Sequence, residues 1–103
     1  MLSKTLGNKS FAIYGLGITG LSVVKFFKKS KIKNYLAWDD DKKKRKIHKV
    51  KLNISEFLKF LNNADYIVIS PGINIEKNKY KKNLLKNKHK FITDLDIFYM
   101  RNI

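Results

Sequence analysis

Residues 11–24 run Phe-Ala-Ile-Tyr-Gly-Leu-Gly-Ile-Thr-Gly-Leu-Ser-Val-Val, a short apolar stretch that breaks into Gly-x-Gly-x-x-Gly and resumes with helical spacing. No other feature constrains the fold as tightly. An apolar run of strand length without polar alternation belongs in a sheet covered on both faces, and the glycines after it demand a sharp turn into a helix. Gly15 permits the turn, Gly17 leaves room for a phosphate to approach the backbone, and Gly20 lets the new helix lie close to the sheet. The first N–H groups of that helix have no partner within it and, with the helix dipole, favour an anionic group. The same spacing also arises by chance or as a plain packing turn. The strand before it and the helix after it favour a phosphate-cradling loop, and the motif leaves the nucleotide open.

From this anchor the chain reads as alternating strands and helices. Strands are predicted at residues 10–15, 35–39, 50–53, 65–70 and 91–93, and helices at 19–29, behind Ser55 as an N-cap, around 77–88, and from Asp94 to Met100. Ile18, Leu21, Val24 and Phe27 are spaced to face the sheet, with Lys25, Lys28 and Lys29 outside. Phe57, Leu58 and Leu61 form the apolar side of the second helix, and Tyr80, Leu84 and Leu85 hold the third. Residues 1–9 read as a polar lead-in, and 42–49 as an exposed loop or frayed helix. The expected fold class is therefore α/β: a Rossmann-like parallel sheet of about five strands in the order 3-2-1-4-5, with helices on both faces. Loops 15–20, 39–41 and 70–74 meet at the carboxyl edge, where such folds bind ligands.

Composition narrows the function. At 103 residues the chain reads as one domain, 1–103, with room for a real core and little for a complete two-substrate enzyme. The absence of cysteine excludes a disulfide framework, thiol catalysis and cysteine-ligated metal. No apolar run is long enough to span a membrane, and the glycines in 11–24 argue against a signal-peptide core; the expected location is the cytoplasm. A net charge of +15 raises nucleic acid as a partner, yet of 23 basic residues only Arg45 and Arg101 carry the guanidinium fork that base and phosphate readout favours. Spread along the chain, the lysines fit a solvated surface that binds polyanions only in low salt, so no specific nucleic-acid partner and no membrane insertion are expected.

The chemistry-bearing residues gather at the predicted carboxyl edge. Asp39 ends the second strand, where a dinucleotide fold places a carboxylate on a ribose hydroxyl; Asp40 and Asp41 read equally as turn or cap residues. Three adjacent acids disfavour a 2′-phosphate. Ser70, Pro71 and Gly72 stop the fourth strand opposite the glycine loop, as a ligand wall or as a plain turn. His48 and His89 lie among lysines without carboxylate partners in sequence, and Asp94 and Asp96 fit helix capping. There is no nucleophile–base pair, metal cluster or catalytic dyad in the sequence, which supports binding and does not by itself indicate catalysis. No metal site is expected.

Gly15-Leu-Gly-Ile-Thr-Gly-Leu-Ser22, Trp38-Asp39-Asp40, Ala64-Asp65-Tyr-Ile-Val-Ile-Ser70-Pro-Gly-Ile73 and Asp94-Leu-Asp-Ile-Phe98, in this order, resemble the N-terminal domain of the D-glutamate-adding Mur ligases, the UDP-N-acetylmuramoyl-L-alanine:D-glutamate ligases of peptidoglycan synthesis. The resemblance covers about residues 8–101. It implies that the domain binds the UDP part of UDP-N-acetylmuramoyl-L-alanine through Gly15, Leu16, Gly17, Ile18, Thr19 and Gly20, with Asp39 and Asp40 at the uridine end and Ser70, Pro71 and Gly72 opposite. Some members carry Arg where this chain has Asp41, so a cationic contact there is lost or comes from a nearby lysine. The family's reaction is ATP- and magnesium-dependent: the substrate carboxylate becomes an acyl phosphate that the amine of D-glutamate attacks. The Gly-rich ATP loop with Lys and Thr that the family carries further on has no counterpart here, since no glycine follows Gly72. The resemblance thus implies a substrate-binding piece without the ATPase and C-terminal domains, with no catalytic residue of its own and neither ATP nor Mg2+ expected on it. A stand-alone NAD-binding module fits the glycines and Asp39 as well; Thr19 and the 70–73 turn favour the ligase.

Overall fold

The structure, a computed structural model, describes residues 4–101; residues 1–3 of the predicted lead-in lie outside them. Four parallel strands form one sheet: β1 (Phe11–Tyr14), β2 (Tyr35–Trp38), β3 (Tyr66–Ile69) and the two-residue β4 (Phe91–Ile92). Their order is β2-β1-β3-β4, with β1 paired in register to Tyr35–Trp38 on one side and Tyr66–Ile69 on the other. The α/β class and helices on both faces hold, whereas the sheet has four strands and not about five. The order equals the expected 3-2-1-4-5 without its first member.

Alternation along β1 builds two cores. Phe11 and Ile13 pack with Leu6, Val23, Phe27 and Ile97 under α1 (Lys4–Gly7), α2 (Ile18–Lys29) and α6 (Asp94–Met100). Ala12 and Tyr14 pack with Trp38, Phe57, Leu61 and Leu84 under α4 (Ile54–Asn63) and α5 (Lys81–Lys86). All four residues of β1 are fully buried, as a central parallel strand requires. Below the sheet, Asp65 accepts from both the backbone N–H (2.8 Å) and the hydroxyl (3.1 Å) of Ser10, tying the starts of β1 and β3. That backbone bond holds the Asp65 carboxyl below its ordinary range.

The departures from expectation have local causes. The segment 50–53 forms no strand, because α3 (Lys42–Ile47) ends in a Schellman turn: Lys49 sits at φ 56° and Val50 N–H reaches back to Arg45 O at 2.8 Å. Too little chain then remains before Asn53 caps α4. Asn53, not Ser55, is that cap, in a reciprocal capping box with Glu56 (2.8 and 2.9 Å). The helix expected at 77–88 is split into a 3-10 turn, Ile75–Lys77, and α5, since the Asn78 side chain takes the Tyr80 N–H at 2.7 Å. Leu85 is therefore exposed while Leu84 is buried. Residues 42–47 are helical though no side chain there is buried, and Lys4–Gly7 turns the lead-in into a helix that buries Leu6. On α2 the buried face is Gly20, Val23 and Phe27, and Ile18 is 93% exposed rather than against the sheet.

β2 is left as an edge strand. Phe11 N–H and Gly15 N–H bond the carbonyls of Asn34 and Trp38, so the backbone groups of Ala37, out of phase with these, face away from β1. A groove of about 1130 Å³ runs along this edge between α2 and residues 47–52, rimmed by Lys25, Lys28, Lys31, Lys33, Lys49 and Lys51. Among the described residues no helix is long and apolar enough to cross a membrane.

Candidate functional site

β1 sits between β2 and β3, so the turn leaving it emerges where two other loops end. Gly15 N–H donates to Trp38 O at 2.7 Å and Ser70 N–H to Tyr14 O at 3.1 Å, extending both ladders into the loops. Gly15 takes φ 107°, and a Cβ there would collide with the Ser70 hydroxyl and stand 3.0 Å from Ile73 Cδ1. A Cβ on Gly20 would collide with Gly15 O, so the helix's first turn rests on the loop that precedes it. Around Gly17 there is open space.

These positions enclose a cleft of about 420 Å³ at the carboxyl ends of the strands. Gly15, Gly17, Ile18 and Thr19 form one wall, Ser70, Pro71, Gly72 and Ile73 the other, and Asp39 and Lys44 the end. α2 starts here at Gly17 with no side-chain cap and no acid in its first turn. Its leading N–H groups and the positive end of its dipole thus remain available to an anion. The Ser70 Oγ is buried without a hydrogen-bond partner among the described residues, a group that a ligand's polar atom would satisfy.

The expected site residues divide into three groups. Gly15, Gly17, Ile18, Thr19, Asp39, Ser70, Pro71 and Gly72 line the cleft. Leu16 and Gly20 support it: Leu16 N–H donates to Asp39 Oδ2 at 2.7 Å, and Gly20 packs beneath Gly15. Asp40 is turned away. Its carboxylate accepts the Tyr14 hydroxyl (2.7 Å), Trp38 Nε1 (3.1 Å) and Asn78 Nδ2 (3.2 Å), a hub joining β1, β2 and the 78–80 turn. Burial, then the Asp40 bond, raises the Tyr14 hydroxyl well above its ordinary range, so it stays a donor. Asp39 Oδ1 also accepts Asp41 N–H at 2.8 Å, and Asp41 caps α3 through Lys43 N–H at 2.9 Å.

Sequence reasoning missed Lys44, Ile73 and the Tyr14–Asp40–Asn78 hub. The helical phase of 42–47 singles out Lys44, but only once that segment is known to be a helix. Among the described residues no three His, Asp or Glu side chains gather as a metal site.

A family model described as "Mur ligase MurD-like, N-terminal domain" matches residues 9–90. The UDP-N-acetylmuramoylalanine–D-glutamate ligase of Francisella tularensis subsp. tularensis (strain WY96-3418) is 36% identical over 86 residues, covering 82% of this chain and 17% of that protein. The protein of that name from Buchnera aphidicola subsp. Acyrthosiphon pisum (strain Tuc7) is 34% identical over 105 residues, 94% of this chain and 23% of its own length. The chain thus spans about a fifth of the length of the curated relatives it matches. The matched span contains both cleft walls, Asp39 and Lys44 at the cleft's end and the first three strands, stopping just before β4, and the chain belongs to the MurD-like N-terminal domain family of Mur ligases.

Proposed function

We propose that this chain is the substrate-docking part of a D-glutamate-adding Mur ligase and that its cleft receives the UDP moiety of UDP-N-acetylmuramoyl-L-alanine. The observation that carries the reading is the convergence of the uncapped α2 N-terminus, the 15–20 loop and the unpartnered Ser70 hydroxyl on one cleft. In this reading the N–H groups of Ile18 and Thr19 hold phosphate oxygens, Ser70 donates to the ligand, and Asp39 does two things. It fixes Leu16 and offers its remaining lone pairs to the uridine end. Asp40 acts indirectly, by holding β1, β2 and the 78–80 turn together.

ATP- and magnesium-dependent formation of an acyl phosphate, and its capture by D-glutamate, belong in this proposal to parts of such ligases outside this sequence, in the cytoplasm. The chain itself then binds and does not turn over ATP. Calorimetric titration with UDP-N-acetylmuramoyl-L-alanine, UDP and NADH at physiological salt tests the reading. Binding of both uridine compounds, weakened in Ser70→Ala, is the expected result. Binding of NADH alone would make the domain a redox-cofactor module, and ATP hydrolysis by this chain would refute the division of labour.

A further inference from the structure

Among the described residues the cleft is lined by two charged side chains, Asp39 and Lys44, and a diphosphate held at the α2 N-terminus shares the cleft with the like charge of Asp39. The α2 N-terminus offers only partial positive charge against it. Among the described residues Lys44 is the one cation lining the cleft. Three aspartates lie within five positions of it, yet none pairs with it. Asp39 is engaged by Leu16 and Asp41 N–H, Asp40 by Tyr14, Trp38 and Asn78, and Asp41 by Lys43 N–H. Backbone, hydroxyl, indole and amide donors thus occupy the carboxylates, and none of them forms an ion pair with the Lys44 ammonium.

The helix that carries Lys44 is held at both ends. Asp41 caps its start, while Arg45 stacks on Trp38 (4.4 Å to the ring centroid) and donates to the carbonyls of Asp39 (2.8 Å) and Asp40 (3.1 Å). Arg45 is thereby committed to structure and unavailable to a ligand, and it fixes the turn from which Lys44 extends. Lys42, Lys43 and Lys46 of the same helix do not line the cleft.

We infer that Lys44 is the cationic contact for the diphosphate of the cleft's ligand, and that α3 exists to present it. The inference rests on the cleft being a diphosphate site and adds the residue that balances its charge. Asp41 itself is spent on capping the helix, so the cation is supplied from the turn that follows it.

The test is titration of the chain with UDP, NADH and inorganic pyrophosphate at two ionic strengths, comparing Lys44→Gln, Lys44→Arg and, as a charge-matched control, Lys46→Gln. Lys44→Gln should weaken UDP binding about tenfold, the low end for a charged hydrogen bond. Lys44→Arg should keep most of the affinity, Lys46→Gln should stay within about twofold, and the deficit should narrow as salt rises. Equal effects of Lys44→Gln and Lys46→Gln would overturn the assignment while leaving UDP binding intact. If NADH binds, UDP does not, and Lys44→Gln weakens NADH, the lysine assignment stands and the uridine reading falls. No diphosphate binding by the parent chain would overturn both.

Discussion

The two walls of the cleft are built by opposite rules. The 15–20 wall is completed internally: Gly15 and Gly20 leave no space for a side chain, Leu16 N–H is held by Asp39, and Gly15 and Leu16 are buried. The 70–72 wall is loosely determined: Pro71 and Gly72 are exposed, a Cβ on Gly72 would meet nothing, and the Ser70 hydroxyl is unpartnered. One wall is pre-organised, and the other keeps a buried hydroxyl whose hydrogen-bonding capacity the described residues do not use. In the proposed reading, the cleft is rigid on the side assigned to phosphate and adaptable on the side assigned to the rest of the ligand.

Substitutions should separate the walls by whether they strike folding or binding. Gly20→Ala drives a Cβ onto the Gly15 carbonyl, backbone against backbone, and should cost about 3 kcal/mol or more, abolishing a cooperative urea transition in a chain of this size. Asp39→Ala strands Leu16 N–H and should cost about 1–3 kcal/mol while also weakening UDP binding, read by paired denaturation and titration. Tyr14→Phe leaves Asp40 its Trp38 and Asn78 donors, so a loss of about 1 kcal/mol is expected with UDP affinity reduced less than by Asp39→Ala. Ser70→Ala should be neutral to slightly stabilising, since it removes a buried unpaired hydroxyl, yet weaken UDP severalfold. If Ser70→Ala destabilised the fold as much as Asp39→Ala, the contrast between the walls would be gone.

The same contrast marks what could be read from the sequence. β1, its glycine turn and α2 follow short-range rules, so the loop, its position at the sheet edge and the packing role of Gly20 were legible. Ser70, Pro71 and Gly72 were legible as a strand stop. The lost fifth strand was hidden because Lys49, rather than the usual glycine, takes the left-handed turn that ends α3; Lys31 does the same after α2, with Ile32 N–H bonded to Phe27 O at 2.9 Å. Nothing in a run of lysines announces this. The true role of Asp40 depends on Tyr14 and Asn78, far away in sequence, and local reading could not reach them. Lys44 stood among near-identical neighbours until the helix gave each a different direction.

The bare flank of β2 casts the chain's charge in a different light. Ala37 presents an N–H and a C=O with no strand beside them, the kind of template on which one molecule can add itself to the next. Six lysines ring that flank and each copy carries +15, so mutual repulsion stands in for the missing strand as a colloidal guard. Such a guard is only as good as the ionic atmosphere allows: light scattering from a concentrated solution should climb as added salt shortens the reach of the lysines, even while the fold itself is untouched.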